Sequence, residues 1–523
     1  MQTHIPCLKN MRTFVILLFT IVFLAAAKPA QATHVMGADM HYVCLGNGKY
    51  KIVASVYRDC RGIPMVTSQL NFNLLTGTPE TGFCNGSIPL NFTRVSIDEL
   101  TPLCDTAKGR CQPANETIGA YGVERHVFEC TVDFKSDPYK TLINNASCCA
   151  VTFFMGHCCR NGAISTGASS QDFATYCTLD LCTLDGACNN SPAFSNPPIF
   201  FTCCNQPYRF NHGLIDTSDL DSVVYALAPP LQSALKPNSF SSKFSYQHPV
   251  TPYCKQPGTV NCAPDPNAPI PVGFFFNPMN GDMVYTPTDC SETAILAVLA
   301  TEYRKIGGTW KKVGSTRRDM QIQVLNCAIN QIPDIRGPYD TCVEEGDTLV
   351  LEIETVDTLT GNQVRGDSLS VQWNGGIKGA SFSVGSGKNP MATFRWVVPA
   401  GAARRHPYRF SVNSKDNNCP MYNESYRGFN IWVGHCDELL TQEEHALPAL
   451  QLYPNPVRPG GILHLSIPAT EYFVLRDMSG RTIHSGMVRT GEIHIPQGIQ
   501  HGVYTLEAIC RNSRRAQTVL IGE

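Results

Sequence analysis

Twenty-four cysteines constrain this chain more than any other feature. Cys7 precedes an N-terminal apolar run and Cys510 stands alone near the C-terminus, which leaves 22, from Cys44 to Cys436, as an even set. No Cys-x-x-Cys pair occurs and no histidines interleave at ligand spacing, so the set does not read as a zinc framework. In an exported chain an even set reads as disulfides. The adjacent pairs Cys148–Cys149, Cys158–Cys159 and Cys203–Cys204 are expected to send each partner to a different strand, because bridged Cα atoms prefer a spacing of about 5.5 Å. Export is expected from the N-terminus. Lys9 and Arg12 precede "FVILLFTIVFLAAA" (Phe14–Ala27) and then "AQA", a secretory signal cut after Ala32. That run falls short of the roughly 20 apolar residues a spanning helix needs.

The 523 residues exceed what one core can organise, so several domains are expected. Net charge is −2 with no long basic run, which argues against a nucleic-acid partner. Short period-two segments recur between turn clusters. "VFECTVDF" places Phe128, Cys130, Val132 and Phe134 on one face, and "TLVLEIE" places Leu349, Leu351 and Ile353 together with Glu352 and Glu354 opposite. "DMQIQVLNC" alternates Met320, Ile322 and Val324 with Gln321 and Gln323. Such alternation marks half-buried strands, and "ETAILAVLATEYRK" (292–305) is read as a strand more readily than as a helix. The fold class is all-β, as tandem β-sandwiches with a disulfide-rich N-terminal half.

Composition places the boundaries. After a signal at 1–32 come a cysteine-rich β module at 33–195, a sandwich at 196–329 and a second at 330–437. A polar linker at 438–450 leads to a C-terminal unit at 451–523. "NNSPAFSNPPIF" (189–200) and "NQIPDIRGP" (330–338) read as connectors, and "ELLTQEEHALPAL" (438–450) as a flexible one. The two sandwiches read as an internal repeat. "IDTSDLDSVVYAL" corresponds to "VDTLTGNQVRGDSLSVQW", "MVYTPT" to "FRWVVP", "VLATE" to "VNSKD" and "RRDMQIQVLNC" to "YRGFNIWVGHC". Cys203 or Cys204 opens the first copy and Cys327 closes it; Cys342 and Cys436 do the same for the second.

The repeat gathers carboxylates. The first copy offers Asp216, Asp219, Asp221 and Glu302, and the second Asp357, Asp367 and Asp416. Oxygen ligands converging from two loops at one end of a sandwich suit calcium, which takes six to eight oxygens; the bland alternative is turn residues capped by their own side chains. An EF-hand is excluded, since counting from Asp219 the sixth and twelfth positions are Val224 and Pro230. No cofactor is expected other than a calcium ion, should these carboxylates be ligands rather than turn residues. "GSGK" (385–388) lacks the glycine and hydroxyl residue of a phosphate loop, where Phe382 and Asn389 stand, and no nucleophile elbow or His-Glu-x-x-His occurs. The chain therefore reads as non-catalytic.

Two family resemblances follow from longer stretches. The last 74 residues resemble a type IX secretion C-terminal sorting domain through "LYPNP" (452–456), "VLRDMSGRTIHSG" (474–486), "GVYTLEAI" (502–509) and "RRAQTVLI" (514–521). The matching positions are Tyr453, Pro454, Asn455, Pro456, Gly480, Gly502 and Tyr504. Arg515 stands where a lysine is common, and Cys510 is unusual there. The resemblance implies a small β-sandwich that delivers cargo through an outer-membrane translocon, with the cargo released or attached to surface lipopolysaccharide. Residues 33–330 resemble the leading module of gliding-motility-associated bacterial surface proteins, through "ATHVMGADMHYVCLGNGKYKIVASVYRDCRG", "CCRNGAI" and "NNSPAFSNPPIFFTCCNQPYRFNHGLIDTSDLDSVVYAL". Through "GDSLSVQW", "FRWVVP" and "DNNCP", residues 331–436 resemble a cadherin- or PKD-like sandwich. Leu220 departs from the Asp-x-Asp-Gly-Asp common at the first carboxylate site of that family. These resemblances imply a cell-surface adhesion or motility protein with an extracellular glycan or protein ligand. A secreted hydrolase or carbohydrate-binding protein with the same sorting domain is the alternative.

Overall fold

The structure is a computed structural model. It describes residues 35–111, 121–145, 149–198, 200–215, 221–256, 258–327, 330–357, 367–404, 406–434, 452–465, 472–477, 481–488, 491–510 and 513–522. The expected signal peptide and the 438–450 linker lie outside the described residues.

Module one is a sandwich of eight strands: β1 (Val35–Gly46), β2 (Lys49–Asp59), β3 (Asn71–Thr78), β4 (Gly82–Pro89), β5 (Thr93–Glu99), β6 (Val123–Asp133), β7 (Ala150–His157) and β8 (Phe173–Asp180). Two short helices, α1 (Tyr139–Asn145) and α2 (Leu181–Leu184), follow β6 and β8. One layer runs β5-β6-β2-β1 and the other β4-β3-β7-β8. Asn47 and Gly48, both at positive φ, close the β1–β2 hairpin as a two-residue turn whose twist matches the strands. Alternate residues point inward, so Met40, Tyr42, Ile52, Phe128, Phe153 and Leu179 fill the space between layers.

Module two adds β9 (Ala193–Phe194), β10 (Phe201–Cys203), β11 (Tyr208–Phe210), β12 (Leu214–Ile215), β13 (Ser222–Ala228), β14 (Phe275–Phe276), β15 (Met283–Tyr285), β16 (Thr293–Ile306) and β17 (Thr309–Leu325). The stretch read as a strand at 292–305 is thus β16. Along one edge β17 pairs with β16; along the other it pairs in turn with β8, with β1 and, in parallel, with β10. A single hydrogen-bonded sheet therefore passes through residue 195 without a break. Because β17 is central and covered on both sides, Gln321 is as buried as Met320 and Ile322, and the half-buried reading of that segment is corrected.

Module three comprises β18 (Asp334–Arg336), β19 (Asp340–Val343), β20 (Thr348–Val356), β21 (Ser370–Trp373), β22 (Ser381–Val384), β23 (Ala392–Val397), β24 (Tyr408–Lys415) and β25 (Glu424–Val433). Its sheets run β18-β20-β23-β22 and β19-β25-β24-β21. The second order repeats module two, where β10, β17, β16 and β13 are neighbours in the same sequence and β10 is parallel to β17 as β19 is to β25. All four segment pairs aligned from sequence include strands at equivalent places. Strand β20 buries Leu349, Leu351 and Ile353 and exposes the residues between them, as its alternation requires. Phe394, Phe410 and Phe429 stack across the core with centroids 4.3 and 5.0 Å apart.

The C-terminal unit is a sandwich of β26 (Leu452–Tyr453), β27 (Ile462–Leu465), β28 (Tyr472–Asp477), β29 (Thr482–Met487), β30 (Glu492–His494), β31 (Gly502–Cys510) and β32 (Ser513–Ile521). Its sheets run β26-β27-β30 and β29-β28-β31-β32 around a separate core.

Among the described residues, cysteines are bridged as 44–188, 60–111, 104–419, 149–182, 158–159, 203–327, 204–290 and 254–262. Two expectations are corrected. Cys130 and Cys177 are free and buried in the core of module one, where each thiol packs as a small apolar group. Cys158 and Cys159 bridge each other, their Cα atoms lying 3.1 Å apart, whereas Cys203 and Cys204 diverge to different partners as expected.

The segment 189–200 behaves as a joint rather than a loose connector. Asn189 is fully buried and donates to the Tyr42 hydroxyl at 2.9 Å and to Glu302 Oε2 at 2.8 Å. Asn190 accepts from Cys44 N, Ser191 accepts from Tyr42 N, and the Asn196 carbonyl accepts from Arg318 at 2.7 Å. Asparagine suits such a joint because its amide both donates and accepts.

Candidate functional site

The described carboxylates of the two expected clusters lie on or beside equivalent strands. In the first copy Asp216 and Asp219 lie outside the described residues. Asp221, immediately before β13, is held bidentately by Arg304 of β16, with Nε–Oδ1 and Nη2–Oδ2 distances of 2.8 and 2.7 Å. Glu302, two residues before Arg304 on β16, is fully buried and accepts the Asn189 amide. Arg304 also donates to Asn189 Oδ1 at 2.6 Å. A guanidinium thus answers the charge of Asp221, and the described part of this cluster ties the 189–200 joint to β16.

The second copy differs. Asp357 follows β20, Asp367 precedes β21 and Asp416 follows β24, so three loops at one end of the sandwich bring them together. Asp357 Oδ2 accepts the Asp367 backbone N–H at 3.1 Å. Asn418 donates its backbone N–H to Asp416 Oδ1 at 2.9 Å and its side-chain amide to Asp367 Oδ2 at 3.1 Å. Asn423 N and the Asn330 amide converge on Asp416 Oδ2 at 3.0 and 3.1 Å. No lysine or arginine forms an ion pair with any of the three among the described residues. Burial, with the charge of Asp367 adding to it, pushes Asp416 up to about 6 and raises Asp357 in the same way.

Two buried oxygens in this cluster, Asp357 Oδ1 and Asn330 Oδ1, have no hydrogen-bond partner among the described residues. An unanswered carboxylate oxygen and an amide oxygen beside uncompensated charge are what a hard cation takes as ligands. The three carboxylates do not close to within 4.8 Å of one another as a set, so such an ion would draw the loops together. Asn330, Asn418 and Asn423 were not singled out from sequence; the run "DNNCPMYN" after β24, dense in Asx residues, is the signal that could have found Asn418 and Asn423, whereas Asn330 lies in the connector at 330–338 with no such signal. Two other groupings of ligating atoms occur among the described residues, Cys60–Cys111–Glu124 and Cys158–Cys159–Asp172. Their sulfurs are bridged to each other and offer no thiolate.

In the C-terminal unit Tyr453 is exposed and stacks on His464 at 5.2 Å. Asn455 clamps the last strand: it donates to the Thr518 carbonyl at 2.9 Å and accepts from Leu520 N at 2.7 Å. Gly502 opens β31, and Tyr504 is buried with its hydroxyl on the Gln500 carbonyl at 2.8 Å. Pro454 and Pro456 flank Asn455 in an exposed turn, and Gly480 lies outside the described residues. Of these motif residues it is Asn455 that braces the final strand of the sandwich.

No family model matches the chain. No curated protein matches it either. Solved structures similar in part include Dpr2 Ig1-Ig2 in complex with DIP-Theta Ig1-Ig3, at 11% identity and a TM-score of 0.17, covering 47% of this chain and 99% of that one. Another is Dscam1 isoform 4.44, N-terminal four Ig domains, at 9% identity and a TM-score of 0.16, covering 93% and 99%. A third is the ICAM-5 D1-D4 ectodomain fragment, at 9% and 0.13, covering 92% and 97%. Scores this low carry no argument about what the chain does.

Proposed function

We propose that the chain is an exported, non-catalytic surface protein of adhesion or gliding-motility type, carried across the outer membrane by its C-terminal sandwich. The observation that carries this reading is the set of disulfides within modules one and two, with one more that joins module one to module three, since such bridges persist in oxidising compartments. A translocon partner and surface attachment rest on the sorting resemblance alone, and the adhesive ligand is an extracellular glycan or protein. Deleting Leu452–Glu523 tests the route. The truncated protein is expected to remain in the periplasm, and its normal display on the cell surface would remove the sorting role.

Calcium at Asp357, Asp367 and Asp416 belongs to the same proposal, with Asn330 supplying an amide oxygen from the connector between modules two and three. The role is to stiffen that connection. The sign follows from Asp416. A carboxyl raised in the folded state binds its proton more tightly than in the unfolded chain, so its ionised form destabilises the fold above about pH 6, and this is relieved as pH falls toward the unfolded value. Millimolar calcium is therefore expected to raise the melting temperature by roughly 2–4 °C near neutral pH and to lose this effect below about pH 5. Asp416→Asn is expected to raise the melting temperature without calcium and to abolish the calcium response. A response that persists in Asp416→Asn would place the ion elsewhere.

A further inference from the structure

His212, in the turn between β11 and β12, is fully buried, and neither of its ring nitrogens has a hydrogen-bond partner among the described residues. Phe210 of β11 and Phe194 of β9 meet the imidazole at steep angles, their centroids 5.0 and 5.8 Å away. Phe194 also carries the Arg318 guanidinium of β17 over its ring, 4.3 Å from the centroid. Arg318 is the charged side chain that acts on the imidazole, and it opposes a second cation there. Asp39 of β1 lies beyond it, engaged by Arg318 Nε at 3.0 Å, while Arg318 Nη1 donates to the Asn196 carbonyl at 2.7 Å.

The ring stands where the 189–200 joint is fastened to module two. Leu214 and Ile215 of β12 pair with Phe194 and Ala193 of β9. The Asn196 N–H donates to the His212 carbonyl at 3.4 Å, and the Ser195 N–H to the Gly213 carbonyl at 3.1 Å. A neutral imidazole packs in this cage as a small aromatic group. An imidazolium adds a second N–H without an acceptor and a charge beside Arg318, so burial first and Arg318 second hold His212 well below its ordinary value. An exposed ring takes up its proton at about pH 6.5 and the enclosed one does not. The closed joint is therefore fully favoured above that pH and loses stability as pH falls below it.

We propose that His212 makes this joint an acid-released latch: protonation draws the imidazole into water and parts β9 from β12, while the β1–β17 seam stays paired. Opening of so short a ribbon costs the chain little, because two residue pairs and two further backbone bonds hold it. The inference rests on the joint alone and stands whether or not the chain reaches the cell surface by the route proposed above.

Hydrogen–deuterium exchange of the full mature chain, read by mass spectrometry from about pH 7.5 to about pH 5 and corrected for the intrinsic pH dependence of exchange, tests it. Protection at Ser195 and Asn196 is expected to fall about tenfold per pH unit below about pH 6.5, while peptides from β17 keep theirs. In His212→Leu, whose side chain fills the cage and takes no proton, the acid dependence at 195 and 196 is expected to vanish. Should that variant fail to fold, the comparison of the joint with β17 in the unaltered chain still decides. Protection at the joint that does not change with pH, loss at the joint and at β17 together, or an acid dependence that persists in His212→Leu would each overturn the proposal.

Discussion

Asp319→Ala is expected to lower the unfolding free energy by about 3–5 kcal/mol, because it strands a buried arginine. Asp319 and Arg160 have side-chain exposures of 0% and 1%, and they pair through two bonds of 2.8 and 2.7 Å. Arg160 also donates to Asn238 at 3.0 Å and stacks on Phe173. One residue along β17, Arg318 pairs with Asp39, which in turn accepts from the Tyr57 hydroxyl at 3.0 Å. Both pairs lie where β17 crosses from module two onto β1 of module one, and Gly37 makes that crossing possible. A Cβ there would stand 2.3 Å from the Asp319 carbonyl oxygen. Urea unfolding of Asp319→Ala checks the magnitude. Arg336→Ala, which breaks the exposed Arg336–Asp334 pair, serves as the control and is expected to cost no more than about 1 kcal/mol. Equal effects at the two sites would mean that the β1–β17 seam does not hold the modules together.

Replacing Cys104 and Cys419 together with serine is expected to cost about 2–5 kcal/mol and to split one unfolding transition into two. The bridge joins residues 315 positions apart and ties module one to the loop after β24 of module three. Backbone bonds flank it, from Cys104 N to the Pro420 carbonyl at 3.1 Å and from Tyr422 N to the Pro102 carbonyl at 3.1 Å. The other bridges already shorten the loop it closes, which places the expected cost within the ordinary disulfide range rather than above it. The same loop carries Asp416, Asn418 and Asn423, so the double variant is also expected to weaken the calcium response. Calorimetric scans read both effects. A single unshifted transition would show that modules one and three are not coupled through this bridge.

The strands were legible because burial on one face imposes a period of two, as at Leu349, Leu351 and Ile353. The duplication was legible because its four segments keep their order, and the equivalent sheets bear it out. What sequence could not reveal are relations between distant segments. Nothing local tells Cys104 to find Cys419 across the whole of module two. Gln321 reads as a solvent-facing residue until β17 is seen to serve two modules at once. Asn189 and Asn196 read as linker composition, yet their amides are the hydrogen-bonding hubs of a buried joint. Carboxylates near one another were legible, but only geometry separates Asp221, neutralised by Arg304, from Asp416, which has no basic partner among the described residues.

The central claim is that three duplicated or stapled sandwiches are fused into one body by a shared sheet and a bridge that spans them. Mass-spectrometric mapping of disulfides in the native chain, digested without reductant, tests it most directly. The account expects a peptide joining Cys104 to Cys419, bridges Cys44–Cys188 and Cys203–Cys327, and free thiols at Cys130 and Cys177. Cys104 and Cys419 recovered as thiols, or each bridged within its own module, would contradict it.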